Sequence, residues 1–236
     1  MKKMIIASTS TLYGSGYLEY LMPTLKSHFK NCKQLLFIPY ARPDGLSHAA
    51  YTKKVFDSLS NLLQIEVKGI HEFENAAQAI ENAQAIFVGG GNTFVLVNEM
   101  YRNKLWDVLE RKIKEGIPYL GTSAGSNICG LTISTTNDMP IVYPPSFKTL
   151  GLVSFNINPH YLDADATSKH MGETRETRIS EFHCYNSQPV IGLREGSWLL
   201  VSNESVVLKG NLTARWFQKN KLPIEIEPET ELKEIM

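Results

Sequence analysis

The chain has 236 residues, a length that suits one large domain or a tight pair and allows a sizeable buried core. Basic and acidic residues balance at 24 each, so no broad positive field favours nucleic acid or an anionic membrane as a partner. The three cysteines are scattered, which argues against a disulfide scaffold and a structural zinc site and fits a reducing cytoplasm.

The first half of the chain alternates predicted strands and helices. Short, nearly continuous apolar runs predict buried strands at 4–7, 34–39, 65–70, 85–88 and 118–122. Apolar residues at helical spacing predict helices at 18–29, 51–62 and 73–83, and one further helix that runs through 105–113 and stops at Gly116. This alternation predicts a mostly parallel sheet with helices on both faces.

The pattern changes after Gly130. The polar, proline-bearing stretch 132–145 predicts a long loop or hairpin, and 153–158 predicts a strand that leads into Asn-Pro-His160. A charged helix is predicted at 173–182, and short strands at 190–193, 198–201, 205–208 and 214–217 are expected to extend the sheet in antiparallel fashion. We therefore expect residues 1–236 to form a single α/β domain, with an acidic tail that is loose from about residue 225.

Residues 118–127 predict the end of a buried strand, a tight Gly-Thr-Ser-Ala-Gly turn and the start of a helix. A serine at the apex of such a turn is lifted clear of the backbone, which makes Ser123 a candidate nucleophile. The backbone N–H of Ala124 is then free to stabilise an oxyanion. The plain alternative is a strand-to-helix loop whose serine only caps the helix.

A nucleophilic serine needs a base, and the base needs an orienting partner. His160 is the candidate base because it closes a predicted strand, where catalytic residues project from a sheet edge. Of the other histidines, His28 falls in a predicted helix, His71 beyond a strand and His183 near the C-terminus of a predicted helix, while His48 and His170 fall in predicted loops. The acidic candidates for orienting the base are Asp138, Asp163, Asp165 and Glu195. Glu195 lies in a tight turn after a buried strand, although such a position also suits a solvated turn glutamate.

A second glycine-rich turn, Gly-Gly-Gly-Asn at 89–92, also follows a predicted strand. It lacks the Gly-Lys-Ser/Thr of a P-loop and does not match Gly-x-Gly-x-x-Gly. Because ligand sites in parallel sheets lie beyond the carboxyl ends of the strands, we expect this turn and 121–125 to face one crevice. Its amides are therefore expected to supply the other half of an oxyanion hole.

Six motifs occur in order along the chain. They are Gly-Gly-Gly-Asn-Thr-Phe at 89–94, Gly-Thr-Ser-Ala-Gly-Ser-Asn at 121–127, Thr-Thr-Asn-Asp-Met-Pro at 135–140, Asn-Pro-His at 158–160, Gly-Glu-Thr-Arg at 172–175 and Gly-Leu-Arg-Glu-Gly at 192–196. Together they resemble the α-aspartyl dipeptidases of serine peptidase family S51. The resemblance covers nearly the whole chain, to about Trp216, and six ordered motifs are far more specific than any one of them.

The resemblance implies a three-layer α/β sandwich of the class I glutamine amidotransferase type, in which a cysteine stands where this chain has Ser123. It implies that Ser123 is the nucleophile, His160 the general base and acid, and Glu195 the third member. The oxyanion hole would consist of the N–H groups of Ala124 and of Gly90 or Gly91. The implied reaction is hydrolysis of dipeptides, and some tripeptides, with an N-terminal aspartate. No metal or cofactor is expected, and we expect a cytoplasmic monomer or homodimer.

Such a substrate carries an α-ammonium, which requires a carboxylate, and a β-carboxylate, which suits the forked donors of an arginine. Asp138 is the candidate acid, Arg175 is the candidate for the β-carboxylate with Arg178 in reserve, and Asn92 is expected to line the pocket. The alternative for both arginines is an exposed helix surface laced with ion pairs to nearby glutamates.

Two residues depart from the family pattern. Thr122 stands where a bulky aromatic residue is common, and Ser126 stands where alanine is common. Both leave the detailed substrate preference open. Two rival functions also stay open: a cyanophycinase-like peptidase of the same family that cuts β-linked Asp-Arg units, and a non-catalytic binding protein on the same fold.

Overall fold

The computed structural model describes residues 1–165, 167, 169 and 171–232, so His170 lies outside the described residues. The strands are β1 (Lys3–Ala7), β2 (Gln34–Ile38), β3 (Glu66–Gly69), β4 (Ile86–Val88), β5 (Pro118–Thr122), β6 (Asn156–Pro159), β7 (Val190–Leu193), β8 (Trp198–Ser202), β9 (Ser205–Lys209), β10 (Ala214–Phe217) and β11 (Ile224–Ile226). The α-helices are α1 (Met22–His28), α2 (His48–Leu63), α3 (Ala76–Glu81), α4 (Thr93–Arg102), α5 (Trp106–Glu115), α6 (Ala124–Asn127) and α7 (Arg175–Tyr185).

A seven-stranded sheet forms the centre of the molecule, in the order β3-β2-β4-β5-β1-β8-β9. The first five of these strands are mutually parallel, and β8 and β9 add antiparallel strands at one edge. One face packs against α1 and α2, and the other packs against α3, α4 and α5. The expected mostly parallel α/β sandwich is therefore confirmed.

Successive residues of β1 show why the sequences of the strands are continuous apolar runs. Met4 and Ile6 belong to the core on one face of the sheet, whereas Ile5 and Ala7 belong to the core on the other. All four side chains are fully buried because helices cover both faces. The continuous pattern is thus a consequence of the three-layer arrangement.

A second sheet of four strands, in the order β11-β10-β7-β6, differs from the expectation that every late strand extends the main sheet. That expectation is right for β8 and β9 and wrong for β7 and β10. Trp216 of β10 is buried and packs edge to face on Phe155, with ring centroids 5.3 Å apart. Because β6 and β7 are parallel neighbours, the residues that follow them emerge at the same sheet edge.

The helix expected to run through 105–113 and to stop at Gly116 is α5, and a separate helix, α4, precedes it, with the two separated at Lys104, whose φ is 55°. Two local expectations need correction. His48 begins α2 and does not lie in a loop. The tail is packed as far as the described residues extend, because Glu225 lies in β11 and Leu232 is fully buried.

Among the described residues, no helix is long and apolar enough to span a bilayer.

Candidate active site

Ser123 lies at the sharp turn between β5 and α6. Its φ of 52° and ψ of −110° are unusual for a residue with a side chain, and its N–H donates to the Ala7 carbonyl at 3.2 Å. The turn is compact because a Cβ on Gly125 would lie 2.1 Å from the Val88 carbonyl oxygen. Although Ser123 occupies the N-cap position of α6, its side chain makes no capping hydrogen bond. The alternative of a simple capping serine therefore does not describe this side chain.

Ser123, His160 and Glu195 form one line of hydrogen bonds. His160 Nε2 lies 2.9 Å from Ser123 Oγ, and His160 Nδ1 lies 2.6 Å from Glu195 Oε1. The tautomer that fits both contacts carries its proton on Nδ1. Nδ1–H then donates to the Glu195 carboxylate, and Nε2 accepts from the Ser123 hydroxyl. An imidazole so oriented can remove the serine proton and return it to a leaving group.

The other candidate orienting acids are engaged elsewhere. Asp163 is ion-paired with Arg194, and Asp138 accepts hydrogen bonds from Thr93. Asp165 accepts hydrogen bonds from the backbone N–H and hydroxyl of Thr167. Only Glu195 among the four sequence candidates is hydrogen-bonded to His160 in the described part of the chain.

His160 is fixed through its backbone by Ser8, which directly follows β1. The N–H of His160 donates to Ser8 Oγ at 2.8 Å, and that hydroxyl donates to the Leu193 carbonyl at 2.8 Å. His160 itself has a φ of 53°. Ser8 was not among the candidates from the sequence, although its position directly after the first predicted strand places it at the same sheet edge as those candidates. Fully buried Ser8 thus connects the main sheet to the segment that carries the base.

Arg194 holds the segments next to His160 and Glu195 together. Its guanidinium makes two hydrogen bonds to Asp163, both 2.7 Å long, and donates to Glu225 Oε2 at 2.8 Å. Hydrogen bonding to Arg194 lowers the pKa of Asp163 and lowers the pKa of Glu225 to about 2. Both carboxylates therefore stay charged, and the network stays intact, well into the acid range.

The glycine triplet lies directly against the nucleophile, as the shared-crevice expectation requires. A Cβ on Gly90 would lie 3.1 Å from Ser123 Cβ, and a Cβ on Gly91 would lie 2.3 Å from the Ala41 carbonyl oxygen. The N–H of Gly90 donates to the hydroxyl of Tyr51 at 3.1 Å. The Gly91 N–H donates no hydrogen bond to any described residue.

Asp138 and Asn92 both bind the start of α4. Asp138 Oδ2 accepts from the N–H of Thr93 at 2.7 Å and from its hydroxyl at 2.5 Å. Asn92 Oδ1 accepts from the Val95 N–H at 3.1 Å, while Nδ2 donates to the Met139 carbonyl at 2.9 Å. Both the oxygen and the nitrogen of the Asn92 amide are thus occupied, one by the start of α4 and the other by the loop at Met139. Asp138 Oδ1, in contrast, receives no hydrogen bond from a described residue.

Arg175 and Arg178 lie on adjacent turns of α7 but in different environments. Arg178 is exposed and donates to Glu173 Oε2 at 3.1 Å, which fits the ion-paired helix surface. Half-buried Arg175 makes no hydrogen bond or ion pair with a described residue, and burial and then the charge of Arg178 lower its pKa. Both arginines line a cavity of about 50 Å³ together with Asn158 and Asn137. An unpaired, partly desolvated guanidinium at a cavity is suited to bind an anion.

The two departures from the family pattern lie beneath the turn and not in a pocket wall. Thr122 and Ser126 are both fully buried. Ser126 Oγ lies 2.6 Å from the Ala7 carbonyl oxygen and 2.9 Å from that of Gly121, and so ties α6 to two strands. Neither side chain is exposed to a ligand beside Ser123.

Comparison with known proteins gives a consistent family. The model for "Peptidase family S51" matches residues 4–209. Peptidase E of Streptomyces coelicolor is 45% identical over 233 residues, which cover 99% of this chain and 94% of the relative. A probable alpha-aspartyl dipeptidase of Drosophila melanogaster is 46% identical over 234 residues, which cover 98% of this chain and 96% of the relative.

Two solved structures share the fold. A putative peptidase E from Listeria monocytogenes has a TM-score of 0.67 at 22% identity, with 89% of this chain and 98% of that chain covered. A peptidase from an acI-B1 actinobacterium has a TM-score of 0.71 at 15% identity, with 98% of this chain and 96% of that chain covered. At these identities the likeness concerns the fold alone.

The backbone at Ser123 generates a stability prediction. Replacing Ser123 by glycine should raise the free energy of unfolding by about 1 kcal/mol relative to replacing it by alanine, because only glycine adopts this conformation without a Cβ clash. Urea unfolding of the two variants measures the difference. Equal stability, or a less stable glycine variant, would show that the turn is not strained.

Proposed function

The chain belongs to peptidase family S51, and from that premise we propose that it is a serine-type dipeptidase that hydrolyses peptides with an N-terminal aspartate. The observation that carries the proposal is the line of hydrogen bonds from Ser123 through His160 to Glu195. The substrate class is supported by the relatives named peptidase E and probable alpha-aspartyl dipeptidase, which match this chain over nearly its full length.

In the proposed acylation step, His160 Nε2 removes the proton from Ser123 Oγ as that oxygen attacks the aspartyl carbonyl carbon. Glu195 accepts the hydrogen bond from Nδ1–H, which keeps the imidazole in the required tautomer and stabilises its protonated form. The carbonyl oxygen becomes an oxyanion as its double bond opens. His160 then gives the proton to the leaving amine, the peptide C–N bond breaks and an aspartyl ester remains on Ser123.

The proposed oxyanion donors are the N–H groups of Ala124 and Gly91. Ala124 follows the nucleophile and begins α6, so its N–H has no partner within the helix. Gly91 is favoured over Gly90 because the Gly90 N–H already donates to Tyr51. Loss of one such donor typically lowers the rate by ~10²–10³.

Deacylation repeats the same proton transfers with water. His160 takes a proton from the attacking water, whose oxygen bonds to the ester carbonyl carbon. It then returns that proton to Ser123 Oγ as the ester bond breaks, and this releases aspartate and restores the enzyme. No other co-reactant is required.

Substrate selection is proposed to rest on two opposite charges. Asp138 Oδ1 receives the α-ammonium, since Oδ2 is already held by Thr93. Arg175 receives the β-carboxylate, and its lack of a partner in the described chain supports it over Arg178, which is paired with Glu173. The role proposed for Asn92 is to hold the loop that presents Asp138.

The proposal extends to the cellular setting. Three free cysteines, one of them the buried Cys129, support a reducing compartment such as the cytoplasm. We propose that the protein acts there on small peptides as a monomer or homodimer, without a metal or cofactor.

Replacing Ser123 by alanine tests the activity. The variant should fold like the wild type but hydrolyse Asp-Leu at no measurable rate, because the acyl acceptor is gone. Amine release from Asp-Leu and from β-Asp-Arg, assayed side by side, measures both activities. Wild-type turnover by the alanine variant would refute the mechanism, and preference for β-Asp-Arg would favour the cyanophycinase-like rival. A wild type that hydrolyses neither peptide, and whose Ser123 does not react with a fluorophosphonate, would favour a binding protein.

Replacing Arg175 by glutamine tests substrate selection, with Arg178→Gln as the matched control one turn away. We expect Arg175→Gln to lower kcat/KM for Asp-Leu by about 100-fold and Arg178→Gln by less than about 3-fold, since a charge-assisted bidentate contact is strong and an exposed ion pair is weak. Steady-state assays with Asp-Leu and Asn-Leu measure the change in discrimination. Equal losses in both variants would contradict the assignment.

A further inference from the structure

Tyr51 belongs to α2, and its side chain extends through the core to the glycine triplet, outside the residues of the proposed triad. It is 1% exposed, and its ring packs edge to face on Phe37 at a centroid distance of 4.8 Å. In the sequence, Tyr51 is one of the residues whose helical spacing predicts the helix at 51–62. Its hydroxyl, however, reaches the backbone next to Ser123.

The hydroxyl contacts both polar groups of Gly90. It accepts from the Gly90 N–H at 3.1 Å and donates to the Gly90 carbonyl at 3.3 Å. The Tyr17 hydroxyl donates to it at 3.4 Å. One donated and two accepted hydrogen bonds satisfy the full capacity of a tyrosine hydroxyl. Tyr51 is therefore committed to this backbone segment and is unavailable as an acid or base.

The geometry of the peptide group extends this contact to Gly91. The Gly90 carbonyl and the Gly91 N–H belong to one planar unit, and in a trans peptide they point in opposite directions. A donor that fixes the carbonyl on one side therefore also fixes the direction of the N–H on the other side. Gly90 in turn lies against the nucleophile, since its added Cβ would lie 3.7 Å from Ser123 Oγ.

We propose that Tyr51 is a positioning residue for the oxyanion hole, and that its hydroxyl holds the Gly90–Gly91 peptide so that the Gly91 N–H faces the carbonyl oxygen under attack. The inference rests on the proposed function, because it assigns a cause to the orientation of one donor in that reaction. Glycine pairs have wide conformational freedom, so the triplet cannot hold this orientation by its own backbone preferences. The buried hydroxyl supplies the missing restraint.

The test is Tyr51→Phe, which removes only the hydroxyl and keeps the ring that packs on Phe37. The expected result is a fall of about 10- to 100-fold in kcat for Asp-Leu with KM changed by less than about 2-fold, because the lost orientation matters only when the oxyanion forms. The rate at which a fluorophosphonate labels Ser123 should fall by a similar factor, since that reaction also develops charge on oxygen. Thermal unfolding checks that the variant is folded.

Tyr101→Phe is the matched control, because the Tyr101 hydroxyl also donates to a backbone carbonyl, that of Lys148, at 3.3 Å. This control should keep wild-type kcat and labelling rate. If folded Tyr51→Phe labels and turns over like the wild type, or if KM rises while kcat stays constant, the inference is overturned and the proposed function stands. If wild-type Ser123 resists labelling and Asp-Leu is not hydrolysed, the proposed function and this inference both fail.

Discussion

The proposed chemistry depends on one contact between two sheets, the 2.9 Å hydrogen bond between Ser123 Oγ and His160 Nε2. The main sheet carries the serine at the end of β5, whereas the four-stranded sheet carries His160 after β6 and Glu195 after β7. Neither sheet holds a complete site. Ser8 matters because it links the end of β1 in the main sheet to His160 and Leu193. Arg194 matters because it holds together the segments that follow β6 and β7 on the second sheet's side.

Two of the described non-glycine residues with positive φ lie at this contact. Ser123 and His160 both have positive φ, 52° and 53°, a conformation that most residues avoid. Hydrogen bonds from Ser123 N–H to the Ala7 carbonyl and from His160 N–H to Ser8 Oγ hold these conformations. Strained residues persist only where the surrounding structure over-determines them, and such residues cluster at functional sites. The well-packed three-layer core supplies that restraint here.

Much of the fold was predictable from the sequence because helices on both faces require continuous apolar strands. Ser123 and Glu195 could be assigned to one site because both lie in the ordered motifs of the family. The second sheet was not predictable, since the pairing of a short strand such as β10 is non-local and is not encoded in the residues of that strand alone. The break at Lys104 lacks a glycine or proline signal. Tyr51 was missed because a tyrosine at helical spacing indicates a core position, and this pattern is the same whether or not the hydroxyl makes a functional contact.

The central claim is that Ser123 carries the aspartyl group during turnover. Acid quenching of wild-type enzyme in the steady state with Asp-Leu, followed by mass spectrometry of its peptides, measures this directly. The account predicts an aspartyl ester on the peptide that contains Ser123, which is absent from the Ser123→Ala variant. Steady turnover with no adduct on Ser123, or with the aspartyl group on another side chain, would contradict it.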